Sequence, residues 1–279
     1  MKILITGSGG MLGHDLGEVL KSRHDLIMTT SETLDITDAD NVAELISREK
    51  PDVVINAAAY TDVDGCEKNR DLALSVNAEG PQNLAKACSE IGCVLVHIST
   101  DYVFNGKNTT PWVESDNTGP ISVYGESKLK GEENIINMMD KYFIIRTAWL
   151  YGVNGGNFPK TMLELAKTHS EITVVYDEVG CPTYTLDLAK AISVLVESDD
   201  YGIYHITNSG ECSWCEFARY IFEVAGCDVE VIPVTASEFN RPAPRPSYSV
   251  LKNKKWIENG FKPLRDYKEA VREYIELIK

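Results

Sequence analysis

In the first half of the chain, apolar positions come in short unbroken runs, each followed by residues at helical spacing. Ile3 to Thr6 is such a run, and glycines separate it from a helix predicted over Met11 to Lys21. Leu26 to Thr29 is a second strand, and Thr37 with Asp40 reads as the cap of a helix carrying Val42, Leu45 and Ile46. Pro51 ends that segment. Val53 to Asn56 is a third strand, followed by a long helix through Ala73, Val76, Leu84 and Ala87. Val94 to Ile98 is a fourth strand, Ile121 to Met139 a helix, and Phe143 to Arg146 a further strand. Unbroken apolar strands separated by helices indicate a parallel sheet covered on both faces.

After about residue 150 the rhythm loosens. Helices are predicted near Phe158 to Thr168, Leu186 to Val196, Glu216 to Ala225 and Asp266 to Ile278, with short strands and turns between them. The stretch from Arg241 to Pro246 holds too many prolines for a helix or a central strand. The expected fold is α/β: a Rossmann-like doubly wound parallel sheet with a smaller mixed α/β substrate-binding part. Residues 1–150 form the dinucleotide-binding domain, which regains later segments, and 151–279 form mainly the substrate-binding part.

Charge and cysteine content narrow the function classes. The chain has 279 residues and a formal net charge of −15, which opposes binding to nucleic acid or to anionic membranes. No run is long and apolar enough for a transmembrane helix, and the N-terminus lacks a signal-peptide pattern, so a cytoplasmic protein is expected. Seven cysteines, an odd number in a protein of this size, argue against a disulfide framework. Cys212 and Cys215 form a CxxC with no second pair to complete a metal site. Ser213 and Glu216 within it read instead as a capping box. The histidines show no metal-ligand spacing, and no metal is expected.

Two constellations carry chemistry. Gly7, Gly10 and Gly13 are spaced GxxGxxG between the first strand and the first helix, with Met11 and Leu12 opening that helix. Glycine there permits a tight turn and close approach of backbone to a pyrophosphate, which the free N–H groups of the helix N-terminus attract. Ala57, Ala58, Ala59, Tyr60 and Thr61 follow the third strand, and the small residues leave room for a dinucleotide over the sheet edge. Thr30 stands where a carboxylate would bind a ribose diol, and Asp35 with Ile36 is a candidate contact for adenine or simply a turn. The cofactor is NADH or NADPH, and the lack of any cation between Leu26 and Arg48 tilts the choice to NADH. Tyr124 and Lys128, four apart on one helix face, form the second constellation. An ammonium beside a tyrosine favours its phenolate and lowers its pKa toward the range useful for proton transfer. Thr100, at the end of the fourth strand, can hold the same substrate oxygen.

With these residues the chain resembles the extended short-chain dehydrogenase/reductase superfamily. Finer motifs resemble the dTDP-4-dehydrorhamnose reductase family: NAAAYTDVDGCE (56–67), STDYVFNG (99–106), YGESKLKGE (124–132), RTAWLYG (146–152), GNFPKTML (156–163), GCPTYTLDLA (180–189) and RPAPRPSYSVL (241–251). The resemblance implies NAD(P)H-dependent reduction of the 4-keto group of dTDP-4-dehydro-β-L-rhamnose, a step toward cell-surface polysaccharide. Tyr124 would donate the proton, Lys128 tune Tyr124 and bind the cofactor ribose, and Thr100 orient the keto oxygen. Asp101 and Trp149 would contact the sugar. Arg241 and Arg245 are candidates for its pyrophosphate, or for surface salt bridges. Family members often carry an acidic or basic residue where this chain has Thr30 and Ser31. Some form a metal-mediated dimer through acidic residues, a cluster not identified here, although a homodimer is compatible with the resemblance. Two other readings are a different nucleotide-sugar reductase or epimerase, and a non-catalytic subunit like the regulatory subunit of methionine adenosyltransferase. The intact Thr100, Tyr124 and Lys128 set argues against the latter.

Overall fold

A computed structural model describes all 279 residues and turns the apolar runs of the first half into strands of one parallel sheet. The chain runs through β1 (Lys2–Thr6), α1 (Met11–Leu20), β2 (Asp25–Met28), α2 (Ala39–Glu49) and β3 (Val53–Asn56). Next come α3 (Val63–Lys68), α4 (Arg70–Leu74), a π-helical turn (Ser75–Glu79) and α5 (Gly80–Ile91). β4 (Val94–Thr100) ends in a 3₁₀ turn at Asp101–Val103, and α6 (Val123–Met138) leads into β5 (Tyr142–Thr147). The rest comprises β6 (Leu150–Tyr151), α7 (Phe158–Ala166), β7 (Glu171–Val175), β8 (Val179–Gly180), β9 (Thr183–Tyr184), α8 (Thr185–Leu195) and β10 (Gly202–His205). It closes with β11 (Cys212–Ser213), α9 (Trp214–Ala225), β12 (Glu230–Val234), α10 (Ala236–Phe239), α11 (Lys254–Glu258) and α12 (Tyr267–Ile278).

The large sheet has six parallel strands in the order β10-β5-β4-β3-β1-β2. Successive side chains of a strand point to opposite faces, which explains why the apolar runs are unbroken. Ile3 and Ile5 enter the core under α1 and α8, while Leu4 between them enters the core under α2 and α5. Val53 and Ile55 alternate with Val54 in the same way. Strand order reverses between β1 and β3, and the crevice at the carboxyl ends of such neighbours is where open α/β sheets bind ligands. Two later segments return to this sheet: β10 adds its sixth strand, and α8 packs on α1.

The smaller part is built from three two-stranded pairs and a core under α9 and α12. β6 pairs with β9 and β7 with β12 in parallel, while β8 pairs antiparallel with β11. Tyr151, Tyr184, Phe217 and Tyr274 fill the core between them. Cys212 and Cys215 are buried free thiols, and the Ser213–Glu216 capping box forms in both directions.

Two local expectations change. The cap of α2 is Asp38, not Thr37: its carboxylate accepts from the Asp40 and Asn41 N–H groups at 3.1 Å. The Thr37 hydroxyl turns back to Asp35 instead. The long helix expected through Ala73 and Ala87 is interrupted by the π-helical turn, which carries Asn77 inward. The Asn77 amide clasps both the N–H and the C=O of Tyr60 at 2.9 Å, so the local distortion ties the loop after β3 to this helical segment.

Candidate active site

The site forms where the carboxyl ends of β1, β3 and β4 meet α6. Gly7 has a φ of +66°, and a Cβ there would lie 2.7 Å from Ala58 N and 2.8 Å from the Ala57 carbonyl. A Cβ on Gly13 would collide with the Gly7 carbonyl. The glycines thus let the first turn, α1 and the loop after β3 pack against each other. Gly10 is the N-cap of α1, with no side-chain cap and no acidic residue in the first turn. Its leading N–H groups are left for an anionic ligand.

α6 carries the expected acid–base pair, Tyr124 and Lys128. Ser122 caps it through the Gly125 N–H at 3.2 Å, and Gly125 itself leaves space for the Tyr102 carbonyl. Tyr124 and Lys128 follow on the face toward β4. The Tyr124 ring packs edge-on against Tyr102, with centroids 5.4 Å apart. Burial raises the Tyr124 pKa well above its usual value, against the opposing pull of the Thr100 hydroxyl. This overturns the expectation that Lys128 lowers it. The Lys128 ammonium is engaged with the Ile98 carbonyl at 2.6 Å, and burial pushes its own pKa down to about 8. Tyr124 is therefore a protonated phenol at neutral pH, the form needed to donate a proton to an oxyanion.

Thr100 ends β4. Its Oγ1 donates to Asp101 Oδ1 at 3.0 Å and accepts the Tyr102 N–H at 3.2 Å. Asp101 is buried, its Oδ2 has no partner, and burial raises its pKa to about 6. Below, the buried Glu132 on α6 holds Arg146 of β5 through a bidentate pair and accepts the Ser99 hydroxyl. This network fixes the strand end from which Thr100 projects.

A cavity of ≈ 420 Å³ joins these parts. Of the residues expected at the cofactor end, Gly10, Met11, Leu12 and Gly13 line it, together with Ala57, Ala59 and Thr61. Thr100, Asp101, Tyr124, Lys128 and Trp149 line its other end. Gly7, Ala58 and Tyr60 do not line it. Thr30 sits beside Gly9 at the end of β2, outside the cavity. Asp35 is occupied by the N–H and hydroxyl of Thr37, and Ile36 is buried against Gly80. The uncapped glycine turn, the alanines at the end of β3 and Lys128 together fit a nicotinamide dinucleotide.

At the opposite wall Trp149 adopts a left-handed backbone conformation with φ +48°, and its indole stacks on Trp214 at 3.5 Å and 6°. Gly180 makes room for that indole, because a Cβ there would lie 2.5 Å from it. Sequence reasoning missed Trp214. Its only local signal is an aromatic directly after the capping Ser213, which places it at the head of α9. Arg241 and Arg245 do not reach this cavity and border a smaller one of ≈ 190 Å³. Arg245 forks onto Asp64 at 3.1 Å, whereas Arg241 lies over the Phe239 ring at 4.6 Å with no ion pair. No cluster of three or more His, Cys, Asp or Glu side chains is placed to hold a metal ion.

Comparison with known proteins agrees with this architecture. The family model described as the RmlD substrate binding domain matches residues 1–279. The spore coat polysaccharide biosynthesis protein SpsK of Bacillus subtilis is 46% identical over 99% of this chain and 97% of its own length. A dTDP-4-dehydrorhamnose reductase of Mycolicibacterium smegmatis is 43% identical over 99% of this chain and 86% of its own. The crystal structure of a dTDP-4-dehydrorhamnose reductase from Clostridium acetobutylicum superposes with a TM-score of 0.98 at 48% identity, covering 100% of this chain and 99% of that one. Another from Bacillus anthracis, in complex with NADP, has a TM-score of 0.97 at 42% identity over 99% of both chains. The tilt toward NADH gains no support from that complex, and the cofactor stands as NAD(P)H. With the glycine turn, the Thr100–Tyr124–Lys128 set and these likenesses in place, the chain belongs to the RmlD family of dTDP-4-dehydrorhamnose reductases, NAD(P)H-dependent oxidoreductases of the extended short-chain dehydrogenase/reductase superfamily.

Proposed function

We propose that this chain reduces the 4-keto group of dTDP-4-dehydro-β-L-rhamnose to the alcohol of dTDP-β-L-rhamnose, oxidising NADH or NADPH. The observation that carries the reading is a single cavity onto which the uncapped N-terminus of α1 and the Thr100–Tyr124–Lys128 set both open.

The bound dinucleotide supplies the hydride. The N–H groups at the start of α1 would hold its pyrophosphate, and the small residues after β3 would leave room for it over the sheet edge. With substrate present the Thr100 hydroxyl would turn from Asp101 Oδ1 and donate to the keto oxygen. Tyr124 gives its proton to that oxygen as negative charge develops, which its raised pKa permits across the neutral range. Lys128 supplies a positive charge one turn along α6 from Tyr124 and would hydrogen-bond the nicotinamide ribose. The unpartnered oxygen of Asp101 accepts a sugar hydroxyl, and the Trp149–Trp214 wall packs on the apolar face of the sugar. Arg241, with no ion pair of its own, stays a candidate for the substrate pyrophosphate. Arg245 is already committed to Asp64. The cytoplasm is the expected place of the reaction. No helix is long and apolar enough to cross a membrane.

The test is loss of reduced-nicotinamide absorbance when the protein meets dTDP-4-dehydro-β-L-rhamnose, with each dinucleotide in turn. A parallel arm uses the D-gluco epimer of the keto sugar. Turnover of the first sugar is expected. Turnover of the epimer alone would make the chain a different nucleotide-sugar reductase, and no oxidation with either would sink the reading.

A further inference from the structure

Lys128 stands at the tip of a buried polar chain that crosses the large sheet. Thr6 on β1 donates from Oγ1 to Asn56 Oδ1 on β3 at 2.7 Å. The Asn56 amide nitrogen meets His97 Nδ1 on β4 at 3.0 Å, and His97 Nε2 faces Lys128 Nζ at 3.4 Å. Thr6, Asn56 and His97 are each at most 1% exposed, and none of them lines the cavity.

The orientation of the Asn56 amide is pinned. The Ala58 N–H donates to Asn56 Oδ1 at 3.2 Å, so the oxygen must lie on that side and the nitrogen toward His97. An amide nitrogen only donates, which makes His97 Nδ1 the acceptor and leaves the single proton of the neutral ring on Nε2. That N–H is aimed at Lys128. An ammonium has three hydrogens and no lone pair, so two donors confront each other there, whereas a neutral amine can accept the N–H.

We infer that His97 is a positioning residue for Lys128: held by Asn56 in its Nε2–H form, it disfavours the ammonium at its own side and turns the ammonium hydrogens toward Ile98 and the cavity. The inference rests on the reductase reading of the site. It gives the Asn56–His97 pair control over the pH at which the lysine loses its charge.

The surroundings of Lys128 leave that control to His97. Glu132, one turn along α6, favours the ammonium, but its oxygens are claimed by Arg146 on β5 and Ser99 on β4. Tyr124 lies one turn back on α6, and Asp101, directly after β4, acts on Tyr124. β1 and β3 contribute only the uncharged Thr6 and Asn56. Burial acts in the same direction as His97 on the lysine. Burial and then Lys128 hold the imidazole far below its ordinary pKa, so it stays neutral while the lysine titrates. The chain ends at buried Thr6 and carries no proton to solvent; what it transmits is orientation.

Asn56→Asp tests the inference. A carboxylate keeps the acceptor for Thr6 and Ala58 but places a second acceptor against His97. The ring must then carry its proton on Nδ1 and offer the Nε2 lone pair to Lys128. Activity that needs the ammonium is present below the lysine pKa and lost above it. The basic limb of the kcat profile is expected to move up by about one pH unit, with KM for the dinucleotide changed by less than about twofold. An unmoved limb overturns the inference. The new charge also acts through space, so the double variant Asn56→Asp/His97→Phe is compared. A shift that persists without the imidazole overturns the role of His97, and a shift that vanishes supports it. Nitrogen-15 NMR of the unmodified protein reads the tautomer directly: Nε2–H supports the inference, and Nδ1–H overturns it. That spectrum needs no substrate, so a failed reductase assay and a failed tautomer assignment are separate results.

Discussion

The two ends of the cavity are built by different means. The cofactor end comes from contiguous sequence: the glycine turn and the start of α1, then the short run after β3, brought together because β1 and β3 are neighbours in the sheet. The substrate end is assembled from Asp101, Trp149 and Trp214, which lie on separate segments and meet only when the small part folds back. The first end presents mainly backbone groups and small side chains, the second large side-chain surfaces. A change at the first end should act on the dinucleotide and the fold together, and a change at the second on the sugar nucleotide alone.

Four variants test that contrast. The largest effect is expected between the two ends, at Tyr124→Phe. Removing the proton donor should lower kcat by about 10²–10⁴ while dinucleotide binding, followed by fluorescence titration, stays intact. A variant that turns over like the parent would remove Tyr124 from the chemistry. Next is Gly13→Ala, whose Cβ must displace the Gly7 carbonyl. Destabilisation of about 1–3 kcal/mol in denaturant titration is expected, with weakened dinucleotide binding. Unchanged dinucleotide affinity would mean that the turn is not the cofactor cradle.

Asp101→Asn probes stability at the substrate end. Burial raises the Asp101 pKa from its ordinary 3.8 to about 6. The raised folded value means that its contribution to stability is complete below the unfolded pKa and is lost as pH rises through 6. Asparagine cannot ionise, so the variant should gain on the parent between pH 4 and pH 8 by roughly 2.4 kcal/mol, while sugar turnover falls. Thermal melts at the two pH values check it, and a constant difference would show that Asp101 is not the group titrating. The smallest effect is expected at Trp214→Ala. Loss of the stacking partner of Trp149 should raise KM for the sugar nucleotide by about tenfold, from roughly 1.5 kcal/mol of aromatic contact, and leave KM for the dinucleotide alone. A rise in both would erase the division between the ends.

How much of this was legible depended on distance along the chain. The GxxGxxG turn and the Tyr124–Lys128 spacing are local patterns, and the structure brings both to one cavity. Asp35 with Ile36 was left open between an adenine contact and a turn. The structure places Asp35 in a turn with Thr37 and Ile36 in the core. Trp214 gave no usable signal, because nothing near it in sequence announces the indole it stacks on. The direction of the Tyr124 pKa shift was misjudged for a related reason. Residue spacing shows which charge is nearby, but not how much water has been removed.

Sequence alone sets the alternation of strand and helix, the glycine-bearing turn and the Tyr124–Lys128 pair that we propose as the site of proton transfer. These depend on side-chain periodicity, backbone freedom and chemical type, all properties of neighbouring residues. Only the tertiary structure decided the strand order that opens the crevice between β1 and β3, and the aromatic wall of Trp149 and Trp214. It also decided the protonation states inside. Burial governs the ionisation of Tyr124, Asp101 and Lys128, and the pinned amide of Asn56 sets the tautomer of His97. Desolvation and hydrogen-bond direction belong to the packed molecule, because they are set by groups that the linear chain holds far apart.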